Sequence, residues 1–191
     1  KSVEEIEEYI LNISSFEAIV DITIQSNKNE TKYRLEQSFS APNIEKQSVL
    51  EPSNIAGLET IYDGNNLKIN NTKLNASTIY ENYPYIINNY LWLNSFVNEY
   101  KDAKSEGKNA KISEENNIVT MEVKLKESNP YISYKKLLID KETGKITKLI
   151  VQDENNNNKV YILYNEIKIN SLKEDEVLAF KLEDTFESKF Y

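Results

Sequence analysis

Most of this chain alternates apolar and polar residues with a period of two, and helical spacing appears only at its start and near its middle. An apolar residue at every second position gives a strand one buried face, whereas apolar residues three or four apart give a helix one. The helical spacing predicts helices at residues 2–14 and 83–103. The alternation predicts strands at residues 16–24, 31–40, 44–50, 58–62, 67–70, 118–126, 132–140, 145–153, 159–170 and 172–190.

The order of these elements restricts the architecture. It contains no strand–helix–strand repetition, which excludes a parallel sheet. The long helix has a wide apolar face that needs a concave partner, and an antiparallel sheet curled around it provides one. We therefore predict an α+β fold: a curved antiparallel half-barrel of about ten or eleven strands wrapped over a central helix, with a further helix at the N-terminus. The residues of the long helix predicted to face the concave side are Ile86, Tyr90, Leu93, Phe96 and Val97.

The domain organisation follows from the absence of a linker. No stretch rich in Gly, Pro or Ser divides the sequence, so we predict a single domain over residues 1–191. The long helix lies between two groups of strands, and a hinge there would let two chains exchange strands or helices near residues 80–110. Such an exchange would produce a homodimer by domain swapping.

Residue types that carry common enzyme chemistry are missing. The sequence has no Cys and no His, which excludes a thiol nucleophile, an iron–sulfur cluster and a Ser-His-Asp triad. Typical catalytic zinc sites rely on His, and neither glycine-rich phosphate-binding motif occurs. Neighbouring carboxylates such as Glu4-Glu5 stand at a helix start or in turns, where the helix dipole and solvent favour them. We predict no enzyme, no catalytic or metal-binding residue and no cofactor, and we keep an all-carboxylate glycoside hydrolase as the enzymatic alternative.

The net charge restricts the kinds of partner that the chain can bind. The chain carries 31 Asp and Glu against 23 Lys and Arg, a net charge of −8. Binding to nucleic-acid phosphates requires a dense positive patch, so a nucleic-acid partner is not expected.

The densest aromatic patch comprises Tyr80, Tyr83, Tyr85, Tyr90 and Trp92. Aromatic rings supply large rigid area with a polar group, which suits a protein core, a protein interface or a platform for sugars or bases. The spacing alone leaves these three interpretations open.

Residues 34–74 contain an ordered set of motifs that is more specific than any of its members. The set is Leu35-Glu36-Gln37-Ser38-Phe39-Ser40-Ala41-Pro42-Asn43, then Leu50-Glu51-Pro52, then Tyr62-Asp63-Gly64-Asn65-Asn66-Leu67 and Asn70. This order resembles the LolA/LolB-type lipoprotein carriers, which have an open antiparallel half-barrel over helices. The segment Tyr80-Glu81-Asn82-Tyr83-Pro84-Tyr85 and a helix ending in Tyr100-Lys101 extend the likeness to the GerS-type germination lipoproteins of clostridia.

The resemblance implies a lipid-anchored, non-enzymatic protein exported to the forespore or spore envelope around the cortex. There it would bind and activate a zinc-dependent N-acetylmuramoyl-L-alanine amidase (CwlD-type), which begins muramic-δ-lactam formation in cortex peptidoglycan and so enables germination. The lipid-bearing Cys of such proteins would lie just upstream of Lys1. The residues expected to contact the partner are Tyr80, Tyr83 and Tyr85.

One position departs from the carrier pattern. LolA-type carriers have a basic residue just before the Pro-Asn pair that helps to gate their lipid cavity, and this chain has Ala41 there. The departure favours a protein-binding role. The alternative is a carrier that holds a lipoprotein acyl chain or another apolar ligand in the concave face.

Overall fold

The protein folds into two helices and eleven strands in a computed structural model, which describes residues 1–86, 89–172 and 177. The helices are α1 (Val3–Leu11) and α2 (Leu93–Ser105). The strands are β1 (Ser15–Gln25), β2 (Glu30–Ser40), β3 (Ile44–Glu51), β4 (Leu58–Tyr62), β5 (Leu67–Asn71), β6 (Ala76–Tyr80), β7 (Ala110–Glu115), β8 (Ile118–Lys124), β9 (Tyr134–Asp140), β10 (Ile146–Gln152) and β11 (Asn158–Ile169). Among the described residues, neither helix is long and apolar enough to cross a membrane.

All eleven strands belong to one sheet, in the order β6-β5-β4-β3-β2-β1-β11-β10-β9-β8-β7. Neighbouring strands in this order, such as β4 with β5 and β8 with β9, pair antiparallel. In the described part of the chain, β6 and β7 stand at the two ends of this order, so the sheet is open. The predicted α+β class, with its antiparallel open sheet and N-terminal helix, is confirmed.

The N-terminal helix begins where the sequence predicts. The Ser2 hydroxyl accepts a hydrogen bond from the Glu5 backbone N–H at 3.2 Å, which satisfies one of the free donors of the first turn. Ile6 and Ile10, spaced by one helical turn, are buried.

The predicted helix over residues 83–103 is wrong in its first half, because α2 begins at Leu93. The Tyr83 backbone N–H donates to the Asn65 carbonyl at 2.8 Å, a contact with a hairpin turn rather than with a helical neighbour. Nearer the helix, the Asn89 side chain accepts from the Leu91 N–H at 3.0 Å and closes a local turn. In a helix the Leu91 N–H would donate to a backbone carbonyl four residues earlier, so its bond to the Asn89 side chain replaces a helical hydrogen bond.

Two strands were not predicted, β6 and β7. Every residue of β6 is exposed, and β7 has only Ala110 and Ile112 partly buried. A strand without a buried face gives no alternation to detect. The strand predicted at residues 172–190 lies, apart from Leu172 and Val177, outside the described residues.

The chain forms two compact units. Unit 1 comprises Lys1–Ile13, Asp21–Lys32 and Ile87–Asn165, and unit 2 comprises Ser14–Val20, Tyr33–Ile86 and Glu166–Tyr191. In unit 1, α2 contacts α1, β7 and β8. Its core contains Ile6, Ile10, Phe96, Tyr100, Val119, Met121, Leu137, Ile139, Leu149, Val151 and Ile162, all at most 1% exposed.

The core of unit 2 contains two packed phenylalanine rings, and an asparagine side chain joins distant parts of its chain. The rings of Phe16 and Phe39 pack at 5.5 Å between their centroids, and both side chains are buried. The Asn170 side-chain oxygen accepts from the backbone N–H groups of Ser14 and Ser15, at 2.8 and 3.3 Å. These hydrogen bonds join residues more than 150 positions apart in the sequence.

Within unit 1, Glu7 links the two helices. Its carboxylate accepts a hydrogen bond from the Tyr100 hydroxyl at 2.7 Å and forms an ion pair with Lys104. Burial opposes ionisation of Glu7, but the hydrogen bonds from Lys104 and Tyr100 outweigh it and hold the pKa of Glu7 below its usual value.

This lowered pKa predicts a pH dependence of stability. A carboxyl group with a lower pKa in the folded state contributes stability that is fully present above its unfolded pKa of about 4.3 and is lost as the pH falls through the folded pKa. We expect the unfolding free energy of the wild type to fall more steeply between neutral and acid pH than that of Glu7→Gln, in urea titrations at several pH values. The control Glu4→Gln, on the exposed side of α1, is expected to follow the wild-type curve. Parallel curves of unfolding free energy against pH for wild type and Glu7→Gln would contradict the lowered pKa of Glu7.

Candidate functional site

The end strand β6 of unit 2 is an exposed strand edge. Its five residues pair with β5 in the register Leu67↔Tyr80 to Asn71↔Ala76. Ile79 and Tyr80 are 58% and 47% exposed, and Leu74, which precedes the strand, is 74% exposed. The strand therefore presents backbone hydrogen-bonding groups together with apolar side chains.

The two end strands of the sheet differ in charge. Edge strands are normally protected from pairing with other chains by charged residues, proline or bulges. The end strand β7 has such protection, since its Lys111 pairs with Glu122 at 3.5 Å and its Glu114 with Lys141 at 2.8 Å. The sequence of β6, Ala76-Ser77-Thr78-Ile79-Tyr80, has no charged residue and no proline. Among the described strands, β6 is thus the end strand that is open to pairing.

The predicted partner residues continue from this edge. The rings of Tyr80 and Tyr83 meet edge to face, with 6.2 Å between centroids. The Tyr83 carbonyl accepts from the Tyr62 hydroxyl at 2.9 Å. Tyr85 is held more firmly: it stacks on Tyr62 at 5.3 Å and its hydroxyl donates to Glu45 at 2.9 Å. Tyr80 is therefore the most available of the three rings, and Tyr85 orients the segment.

The residues predicted to face the concave side fall into two groups. Ile86 and Tyr90 precede α2, and Ile86 is 54% exposed. Leu93, Phe96 and Val97 lie in α2 and are at most 4% exposed. Tyr90 lines a cavity in unit 1.

Unit 1 contains a cavity of about 460 Å³ between the second half of α2, the end of β8, the start of β9 and the loop that joins these two strands. The apolar part of its lining includes Ala103, Val123, Leu125 and Ile132. The charged part consists of Glu99, Asp102, Glu106, Lys124, Lys126, Glu127 and Lys135. No three acidic side chains among the described residues come close enough to hold a metal ion.

A buried ion pair lies in this lining. The Lys135 Nζ atom is 2.6 Å from Glu99 Oε1, and the two side chains are 1% and 13% exposed. Lys135 stands opposite Val123 in the β8–β9 ladder. A second pair, Lys126 with Glu106 at 2.9 Å, is exposed to solvent.

Burial dominates the electrostatics of the inner pair. It lowers the pKa of Lys135 and raises the pKa of Glu99, and in each case the opposite charge offsets part of the effect. Perturbed groups of this kind, beside a cavity, are characteristic of binding sites as well as of structural ion pairs.

Neither Glu99 nor Lys135 is among the site residues predicted from the sequence, although the sequence contains a signal for Lys135. It occupies the same face of β9 as Leu137 and Ile139, which are fully buried. A charge on the apolar face of a strand needs a partner, because an isolated buried charge is very costly.

A protein-family model matches almost the whole chain. The model of a family described as "Sporulation protein YdcC-like" matches residues 1–178. No curated protein has a sequence that matches this one.

Several solved structures are similar in fold. An uncharacterized conserved protein from Thermus thermophilus is 12% identical, with a TM-score of 0.53 and 92% of each chain covered. The structure of the CwlD amidase in complex with the GerS lipoprotein, from Clostridioides difficile, aligns at 15% identity and a TM-score of 0.46, over 89% of this chain and 92% of that chain. A LolA superfamily protein from Nitrosomonas europaea is 12% identical, with a TM-score of 0.44, over 92% and 96% of the two chains. At these identities the likeness is one of fold alone.

Proposed function

The chain belongs to the family of YdcC-like sporulation proteins, and from this premise we propose that it binds and activates a cortex peptidoglycan amidase without contributing catalytic residues. The partner is a zinc-dependent N-acetylmuramoyl-L-alanine amidase of the CwlD type, the class that the sequence resemblance to GerS-type lipoproteins implies. The protein acts outside the cytoplasm, in the spore envelope, where an N-terminal lipid anchors it. Its activity leads to muramic-δ-lactam formation and so to germination.

The observation that carries the proposal is the uncharged, exposed edge of β6. An edge strand with free backbone groups binds a partner strand by extending the sheet, and side chains beside it provide specificity. Here the apolar side chains are Leu74, Ile79 and Tyr80, each more than 40% exposed. Tyrosine at such a position combines large contact area with a polar hydroxyl, as at many energetically dominant interface residues.

The alternative, a carrier of an acyl chain, has less support. Leu93, Phe96 and Val97, the apolar side chains expected to hold the ligand, are buried in the core of unit 1. The cavity of about 460 Å³ has seven charged side chains in its lining, which suits a polar ligand better than a hydrocarbon chain.

Size-exclusion chromatography tests the binding part of the proposal. The chain alone gives the oligomeric state, and so tests the predicted exchange between two chains near residues 80–110. We expect the chain and the zinc-loaded amidase to elute together, earlier than either protein alone. Separate elution at micromolar concentrations of both proteins would contradict the proposal.

A further inference from the structure

The Lys135 ammonium has more hydrogen-bond donors than partners. A lysine ammonium has three N–H donors, and in the part of the chain that the structure describes Lys135 donates only to Glu99. The second oxygen of Glu99 likewise accepts no hydrogen bond from a described residue. Water can meet these needs in the free protein, and a ligand that displaces it must supply acceptors for Lys135 and a donor for Glu99.

The charge of the pair restricts the ligand. Lys135 and Glu99 together have no net charge, so a cationic ligand would meet the buried ammonium and an anionic ligand the buried carboxylate. Either would add an uncompensated charge beside Lys135 and Glu99, whose side chains are only 1% and 13% exposed. A neutral secondary amide matches both members, because its C=O accepts and its N–H donates.

The apolar part of the lining agrees with a small ligand of this class. Val123, Ala103, Leu125 and Ile132 provide apolar contacts for the groups on either side of an amide, and Tyr90 provides an aromatic ring. The volume of about 460 Å³ lies within the roughly 300–1,000 Å³ typical of small-molecule sites.

We infer that this cavity binds a neutral amide-bearing molecule, whose carbonyl accepts a hydrogen bond from Lys135 and whose N–H donates to Glu99. The amide has two natural sources: the acetamido group of an amino sugar and the backbone of a short peptide. This binding function goes beyond the proposed function, since the lining belongs to unit 1 and the partner edge to unit 2.

Titration of the ¹⁵N-labelled 191-residue chain by NMR tests the inference. The probes are N-acetylglucosamine and N-acetylalanine methylamide, at millimolar concentration. The matched compounds that lack the amide are glucose and methyl 2-acetoxypropanoate, the neutral diester of the same shape. We expect at least one amide probe to shift the resonances of Glu99, Val123 and Lys135, and its matched compound to bind at least tenfold more weakly. A response to the sugar alone or the peptide alone identifies the source. No response to either amide probe, or equal responses to the matched compounds, overturns the inference.

A variant test links the binding to the ion pair. The double substitution Lys135→Met with Glu99→Leu removes both polar groups and keeps similar volumes, and we expect it to weaken binding of the amide probe at least tenfold. The control Lys141→Gln with Glu114→Gln removes a pair at the other end of the β7–β9 sheet and is expected to bind as the wild type does. Unchanged binding by the Lys135–Glu99 double variant overturns the inference. If that variant does not fold, the titration of the wild type with the four probes tests the inferred amide binding by itself.

Discussion

Substitution of Lys135 by methionine is expected to lower the free energy of unfolding by about 3–5 kcal/mol. Methionine has a similar length, so little of the effect comes from lost volume. The main cause is the Glu99 carboxylate, which is only 13% exposed in the wild type and loses its 2.6 Å partner. An uncompensated buried charge is among the few mechanisms that give effects of this size in a point variant. Urea denaturation of wild type and variant at neutral pH measures the difference.

The double variant Lys135→Met with Glu99→Leu distinguishes this cause from a packing defect. Replacement of a whole buried ion pair by apolar residues of similar volume is often neutral or stabilising by about 1–4 kcal/mol. We therefore expect the double variant to recover most or all of the stability that the single variant loses. If the double variant is as unstable as the single one, burial of an unpaired charge is not the cause.

Substitution of Tyr80 by alanine is expected to weaken binding to the amidase by about 2 kcal/mol or more, roughly 30-fold in Kd. Tyr80 is 47% exposed and lies at the end of the open edge, so its removal should cost contact area in the complex and little folding stability. Isothermal titration calorimetry with the zinc-loaded amidase measures the change. The matched control is Tyr131→Ala, which removes another exposed tyrosine, 75% exposed and in unit 1. Equal affinities for Tyr80→Ala and wild type would exclude the proposed contact.

A second substitution tests strand pairing itself. Lysine on an edge strand opposes sheet extension, so Ile79→Lys is expected to weaken the complex at least as much as Tyr80→Ala. Ser113→Lys places the same charge on β7, the other end strand, and should leave the affinity unchanged. Equal losses of affinity in Ile79→Lys and Ser113→Lys would indicate a general effect of charge and would contradict strand pairing through β6.

The sequence predicts most strands that have one buried face and misses β6 and β7, which have almost no buried residue. The strands β8 and β9 alternate buried residues with less buried ones and were found, whereas β6 has no buried face and was missed. The start of α2 was misplaced because apolar spacing from Tyr83 onward fits a helix, while Asn65 and Tyr62, close in space but distant in sequence, hold the Tyr83 backbone.

The same limit applies to the candidate sites. The motif order indicated the segment from Tyr80 to Tyr85, and the structure places Tyr80 and Tyr83 in contact. The charge of Lys135 on an apolar strand face was visible in the sequence. Its partner Glu99, 36 positions away, was not, since only the packing of α2 on the sheet brings the two together.

The rate of the amidase on cortex peptidoglycan, with and without this chain, tests the central claim most directly. Zinc-loaded amidase at fixed concentration is mixed with increasing amounts of the chain, and the release of peptide stems is followed. We expect the rate to rise and to reach a plateau when all of the amidase is bound. The Tyr80→Ala variant should require about a 30-fold higher concentration for the same rate. A rate that is the same at every concentration of the chain would contradict the claim.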